Sequence, residues 1–263
     1  MENFNQEIQE ESELGHSDKI IGLFSEPKKT FEKMSGYSPK TIDWLLPITL
    51  LLFIVVLSRV LIIQNPDLAY QVKQQQKESM EKNLNTAVEK KQITTEQKEE
   101  RLNQGLENMN KPIFQFLGYV GIIIGGFIVF FIISGVYFIF TKFVLKGEGT
   151  YAAALVANGM TGYIGMIQII LATVLSYILG RLVNDISLAS LMNSDKATII
   201  GYILSKLDII FIWSLIILSV AFSKMFKSQS IGKYYGMVFG IWIVWGVFSF
   251  WLGKVVPWLN FSR

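Results

Sequence analysis

Two ionisable residues stand inside stretches that otherwise carry almost no charge, and any chemistry would have to begin with them. Arg59 lies near the end of the apolar run 44–63. Asp208 lies about eight residues, roughly 12 Å, into the run 199–222. A charge held at that depth is costly and marks a functional or a structural pairing. An arginine can extend its long side chain to the interface. An aspartate is too short for that, so Asp208 must be paired, protonated or facing water. By depth Arg59 is its best-placed partner, followed by Arg181 and Lys206, and Gln168 in the third run is a further polar interior candidate. The expectation is a structural Arg59–Asp208 ion pair. A proton or ion pathway usually shows more than one acid, so transport stands as the second reading.

No nucleophile–base set can be assembled from the remaining residues, so no catalytic residue is assigned and no enzyme is expected. The chain has no cysteine, which removes disulfides, thiolate metal sites, iron–sulfur clusters and cysteine nucleophiles together. Its one histidine, His16, falls in an acidic polar stretch, so a multi-histidine metal site is impossible. No metal and no cofactor are expected. The short GxGT stretch from Gly147 to Thr150 reads as a turn, since a phosphate-binding loop needs a longer pattern.

The elements that position these residues are five long apolar runs, at about 44–63, 113–140, 151–183, 199–222 and 234–256. Each reaches the roughly 20 residues that a helix needs to cross a hydrocarbon core of about 30 Å. Backbone inside lipid must satisfy its own hydrogen bonds, so each run is expected to be helical. The fold class is therefore all-α: a polytopic membrane protein with five transmembrane helices. The second run, 28 residues or about 42 Å long, must tilt or protrude. The third begins in a cluster of Gly147, Gly149, Asn158, Gly159, Gly162 and Gly165, which predicts a bent or interrupted entry.

Residues 1–17 are rich in glutamate, lack Lys and Arg, and are expected to be a disordered acidic tail. They hold no apolar h-region, so the first membrane helix is expected to act as its own insertion signal. Residues 18–43 read as an amphipathic region. Pro27 suits the first turn of a short helix that Ser25 can cap. Phe24, Phe31 and Met34 offer an apolar side, and Lys28, Lys29 and Lys33 a basic one. Such a helix lies on the membrane surface or packs under the bundle, and the two can coexist. Residues 64–112 hold eight basic and eight acidic residues between 67 and 111. They read as an inserted soluble hairpin of two helices, the second opened by a Thr94–Gln97 capping box. Residues 257–263 form a short tail.

Positive-inside counting places the N-terminus in the cytoplasm, with Lys142, Lys146, Lys224, Lys227 and Lys233 in the inner loops. The hairpin and the C-terminus then lie outside a cell inner (plasma) membrane. The net charge of +3 is dispersed, so no nucleic-acid partner is expected. The expected partners are the lipid bilayer and either a membrane protein or a second copy of the chain. Gly121 with Gly125, and Gly232, Gly236 and Gly240, have the spacing of helix-packing motifs, read here as packing inside the bundle before homodimerisation. Trp44, Trp251 and Trp258 read as interface anchors.

Three segments carry a resemblance to a known family. The stretch IIGLFSEPKKTFEKM before the first span resembles the entry motif of the Yip-domain (Ypt/Rab-interacting protein) membrane family, in its prokaryotic branch. GEGTYAAALVANG is similar to that family's turn into the third helix, and FSKMFKSQSIGKYYGMVFGIW to its basic inner loop leading into the last helix. The third helix departs in NGMTGYIG, where the family often has Tyr and Pro. The resemblance implies an N-cytoplasmic, five-helix membrane protein. Eukaryotic members help organise membrane traffic and bind prenylated GTPases, a role that does not transfer to a prokaryotic member. The leading expectation is a non-enzymatic, membrane-organising scaffold of this family. The alternative is a small permease or accessory exporter subunit that uses Asp208 and the glycine-rich third helix.

Overall fold

A computed structural model describes residues 13–109 and 111–255. The expected 1–12 and 257–263 parts of the tails, and Trp258, lie outside the described residues. Every regular element described is helical. Two short helices, α1 (His16–Ser25) and α2 (Pro27–Ser35), precede the long α3 (Ile42–Gln64). Then follow α4 (Pro66–Glu89), α5 (Thr95–Met109), and α6 (Pro112–Ile139), which ends in a π-helical turn over Phe140–Val144. The chain continues through α7 (Tyr151–Met160), α8 (Gly162–Leu179), the single turn α9 (Leu188–Leu191), α10 (Ile199–Ser205), α11 (Ile209–Met225) and α12 (Ile231–Val255).

Four of these are long and apolar enough to cross a membrane: α3, α6 with its π turn, α7–α8 taken together, and α12. A fifth candidate is the pair α10–α11, bent by 56°. Side chains such as Ile124, Ile128 and Ile132 on α6 stand exposed, as lipid-facing residues do. The third run is interrupted at Thr161, whose hydroxyl donates to the Asn158 carbonyl at 2.7 Å. The fourth run, continuous in composition, is broken at 206–208. Asp208 is responsible: its Oδ1 accepts from the Phe211 N–H at 2.9 Å and so caps α11, in the way a short acceptor side chain starts a helix.

Local signals account for the other boundaries. Asn65 accepts from the N–H groups of Asp67 and Leu68, with Pro66 in the first turn of α4. Thr94 and Gln97 exchange their capping-box bonds at 3.0 and 3.2 Å. Helices α4 and α5 pack on each other, with Gly105 against the Met80 sulfur.

The core lies between α1, α2, α7, α8, α11 and α12. Leu23, Phe31, Val156, Met160, Phe222 and Val238 are among its buried side chains. Phe31 is fully buried and Met34 nearly so. These two face the bundle, where α2 packs along α11, so Phe31 and Met34 are not the lipid-facing side expected of a surface helix. Phe24 is 38% exposed and its ring lies 5.7 Å from that of Trp213. Pro27 opens α2, and only Lys28 and Lys29 of the expected surface set stand fully outward.

The glycines also divide differently from expectation. A Cβ at Gly121, Gly125, Gly232, Gly236 or Gly240 would meet nothing within 4 Å, so these positions do not pack the described bundle. The close approaches to the backbone of another helix belong to α7 and α8. A Cβ at Gly159 would stand 2.6 Å from the Trp44 Cα, and Gly162 and Gly165 lie against Pro47 and Leu51. Gly147 and Gly149 sit equally close to Phe226, and the Glu148 N–H donates to the Phe226 carbonyl at 3.1 Å. Trp44 is therefore a packing residue, stacked on Phe130 with ring centres 5.9 Å apart.

Candidate functional site

A dense polar constellation among the described residues is at the end of the bundle that carries the N-terminal helices. Helix α1 brings His16 and Lys19 to the start of α3, where Asp43 is 2% exposed. Lys19 Nζ lies 2.6 Å from Asp43 Oδ2, and His16 Nδ1 lies 2.9 Å from Asp43 Oδ1. The other ring nitrogen, His16 Nε2, is 2.8 Å from the Tyr163 hydroxyl on α8. Glu13 closes the group, 3.4 Å from Lys19 and 2.7 Å from Lys40. The Lys40 ammonium holds the Glu13 carboxyl below its usual value, and Glu13 in turn raises Lys40.

Two carboxylates thus meet two ammonium groups around one imidazole, and both ring nitrogens of His16 are engaged. Lys19 is 3% exposed; a cation so deeply buried persists only when paired. The arrangement ties α1 to α3 and α8. The helix beginning at His16 corrects the boundary of the expected disordered tail, because His16 and Glu13 find partners 27 residues away in the sequence. On the same end, Lys224 Nζ pairs with Glu32 at 3.0 Å, fixing α2 to the end of α11.

Asp208 sits at the other end of α11 and is 3% exposed. Its Oδ2 accepts from Gln168 Nε2 at 2.8 Å and from the Ile186 N–H at 3.2 Å, while Oδ1 caps the helix. The expected Arg59–Asp208 ion pair is not formed. Three donors already occupy the carboxylate, which capping draws to the helix start, and Arg59 faces a different cavity, between α3, α4, α5 and α6. Gln168 is the interior polar partner. Arg181 donates through Nη2 to the Ser190 and Leu191 carbonyls at 2.8 and 3.0 Å, ordering the loop after α8. In that loop burial alone would raise the Asp185 carboxyl, but hydrogen bonds from Lys196, Ser187 and Ser190 outweigh it and hold Asp185 below the usual range.

Asp208→Asn tests this assignment. The amide can still cap Phe211, but its N–H2 would face the Ile186 N–H and the Gln168 amide. Gln168 can turn over; a backbone N–H cannot. Stability in detergent should fall by about 1–3 kcal/mol, the cost of a buried donor without a partner. Adding Arg59→Gln should leave that loss unchanged, since the two side chains share no partner. Strong coupling in the double mutant would restore the ion pair.

Sequence reasoning missed the His16–Lys19–Asp43–Tyr163 group. Asp43 directly before a long apolar run was a signal: an acid at the mouth of a span needs a partner, and Lys19 and His16 are spaced three apart on one helix face. Among the described residues, no cluster of three or more His, Asp and Glu is arranged to hold a metal ion.

Comparison with known proteins gives one match. A family model described as the Yip1 domain matches residues 21–233. No curated protein and no solved structure matches the chain.

Proposed function

The chain belongs to the Yip1 domain family of membrane proteins, and from that premise we propose that it works as a non-enzymatic scaffold that organises the membrane and its partners. The observation that carries this reading is the platform built by α1 and α2. The buried ion pair from Lys19 to Asp43 and the half-exposed pair from Lys224 to Glu32 hold both helices against the bundle. Leu23, Phe31 and Met34 are consumed internally, and Lys28 and Lys29 are presented outward, Lys29 beside Glu26 at 3.2 Å. A rigid basic face at a membrane surface is suited to acidic partners or anionic headgroups. The lysines of the loops on the same end support a cytoplasmic placement of this platform. The hairpin of α4 and α5 would then lie outside.

The unfilled glycine faces supply the second part of the reading. Small residues let another membrane helix approach closely, and neither the α6 pair nor the α12 series is used within the described chain. A second copy or another membrane protein is the proposed occupant. The transport alternative rests on Asp208, and the hydrogen bonding of Asp208 gives that side chain a structural task.

Photo-crosslinking residues placed at Lys28 and at Gly236 in native membranes test the proposal. Adducts of discrete mass are expected from both positions, with those from Gly236 lost when Gly232 and Gly240 are replaced by Leu. A solute flux in proteoliposomes, abolished by Asp208→Asn without loss of thermal stability, would replace scaffold with transport.

A further inference from the structure

We propose that the cavity between α3, α4, α5 and α6 binds the headgroup of an anionic glycerophospholipid, with Arg59 as its principal contact. This cavity lies at the end of the bundle opposite the N-terminal platform. Its volume is about 890 Å³, within the roughly 300–1,000 Å³ of ordinary ligand sites. Arg59 and Lys73 both line it, and no carboxylate does so among the described residues. Arg59 faces this cavity with no acid in its described lining, which gives it a positive field. Gln76, Asn83 and Tyr119 add side chains able to donate hydrogen bonds.

Arg59 makes the need for an anion specific. It lies within the last two turns of α3, and among the described residues no carboxylate is in ion-pairing distance of it. Intramembrane arginines are tolerated where they meet a counter-charge or water. Its guanidinium carries a planar fork of donors suited to two phosphate oxygens at once.

The rest of the lining selects a lipid over a soluble phosphate. Phe114, Gly118 and Ile122 form one wall along α6. That wall continues into Ile113 and Leu117, which are 58% and 53% exposed. The cavity is thus open sideways to the apolar surface of the bundle. A Cβ at Gly118 would meet nothing within 4 Å, which leaves a channel for an acyl chain beside the helix. A headgroup held by Arg59 and Lys73 would have its chains led out along α6 into the bilayer.

The test uses full-length protein in detergent, titrated with phosphatidylglycerol or with phosphatidylcholine of the same acyl chains, and read by native mass spectrometry. The wild type should bind phosphatidylglycerol more tightly by about tenfold, the scale of one charge-assisted contact. Arg59→Gln should remove that preference, Arg59→Lys should retain part of it, and Lys233→Gln, distant from the cavity, should leave it intact. Gly118→Leu keeps the charge and fills the chain channel, and should weaken binding of phosphatidylglycerol. Equal binding of the two lipids by the wild type, or an undiminished preference in Arg59→Gln, would overturn the proposal. So would a rise in melting temperature with glycerol 3-phosphate in solution as large as that with phosphatidylglycerol, since the site would then be one for a soluble phosphate.

Discussion

Asp43→Asn is expected to be the most damaging single substitution of a polar residue in the molecule. Its side chain is almost fully buried and meets Lys19 at 2.6 Å and His16 at 2.9 Å. Asparagine preserves the volume and removes the charge. Lys19, 3% exposed, would then keep only the longer contact to Glu13 at 3.4 Å. Breaking one side of a buried pair costs about 3–5 kcal/mol, chiefly because the remaining charge is left without compensation. Two measurements check it. Thermal unfolding in detergent should shift down strongly, and limited proteolysis should cut within the segment 13–26, where the wild type should resist. Lys19→Met combined with Asp43→Asn should be milder than the sum of the single changes, because no orphan cation is left. Unchanged protease resistance in Asp43→Asn would show that α1 is held by its apolar side chains alone.

Gly159→Ala is expected to separate α3 from α7. The new methyl group would stand 2.6 Å from the Trp44 Cα and 2.7 Å from its Cβ. The first of these is backbone, so no rotamer change relieves it, and the helices themselves must move. Overpacking of this kind costs about 1–3 kcal/mol or more. The matched control is Gly236→Ala, where nothing lies within 4 Å. There the change should be neutral within about 0.5 kcal/mol or slightly favourable through helix propensity. Equal effects at the two positions in a detergent melting experiment would contradict the α3–α7 packing described here.

That contrast shows what a single sequence makes legible. Gly232, Gly236 and Gly240 advertise close packing by their regular spacing, yet spacing reports only that a helix face is flat. It does not say which helix lies against it, and the tightest approach to the backbone of another helix falls at Gly159, a position whose partner is over a hundred residues away. The membrane-crossing helices were readable because length and apolarity are local properties. The capping box of α5 was readable for the same reason. Asp208 was readable as a buried acid but not as a cap, because the apolar residues on both sides of it disguised a break as one continuous helix. His16 looked isolated because its partners, Asp43 and Tyr163, come from two other helices. Arg59 stood out as a charge in an apolar run, and its setting could be seen only once α4 and α5 had been placed beside α3.

The docking of α2 on α11 has a consequence for how the protein is made. Glu32 leaves the ribosome early, whereas its partner Lys224 follows 192 residues later. At about 5–20 residues per second that interval is roughly 10–40 s. Throughout it Leu23, Phe31 and Met34 have no finished surface to cover them, since much of that surface belongs to segments still being translated. The nascent N-terminal helices must spend this time against another apolar phase, and the bilayer beside the emerging first span is the nearest one. The amphipathic pattern that suggests a lipid-bound helix therefore suits the waiting period of synthesis, and the mature chain takes the same side chains for its core.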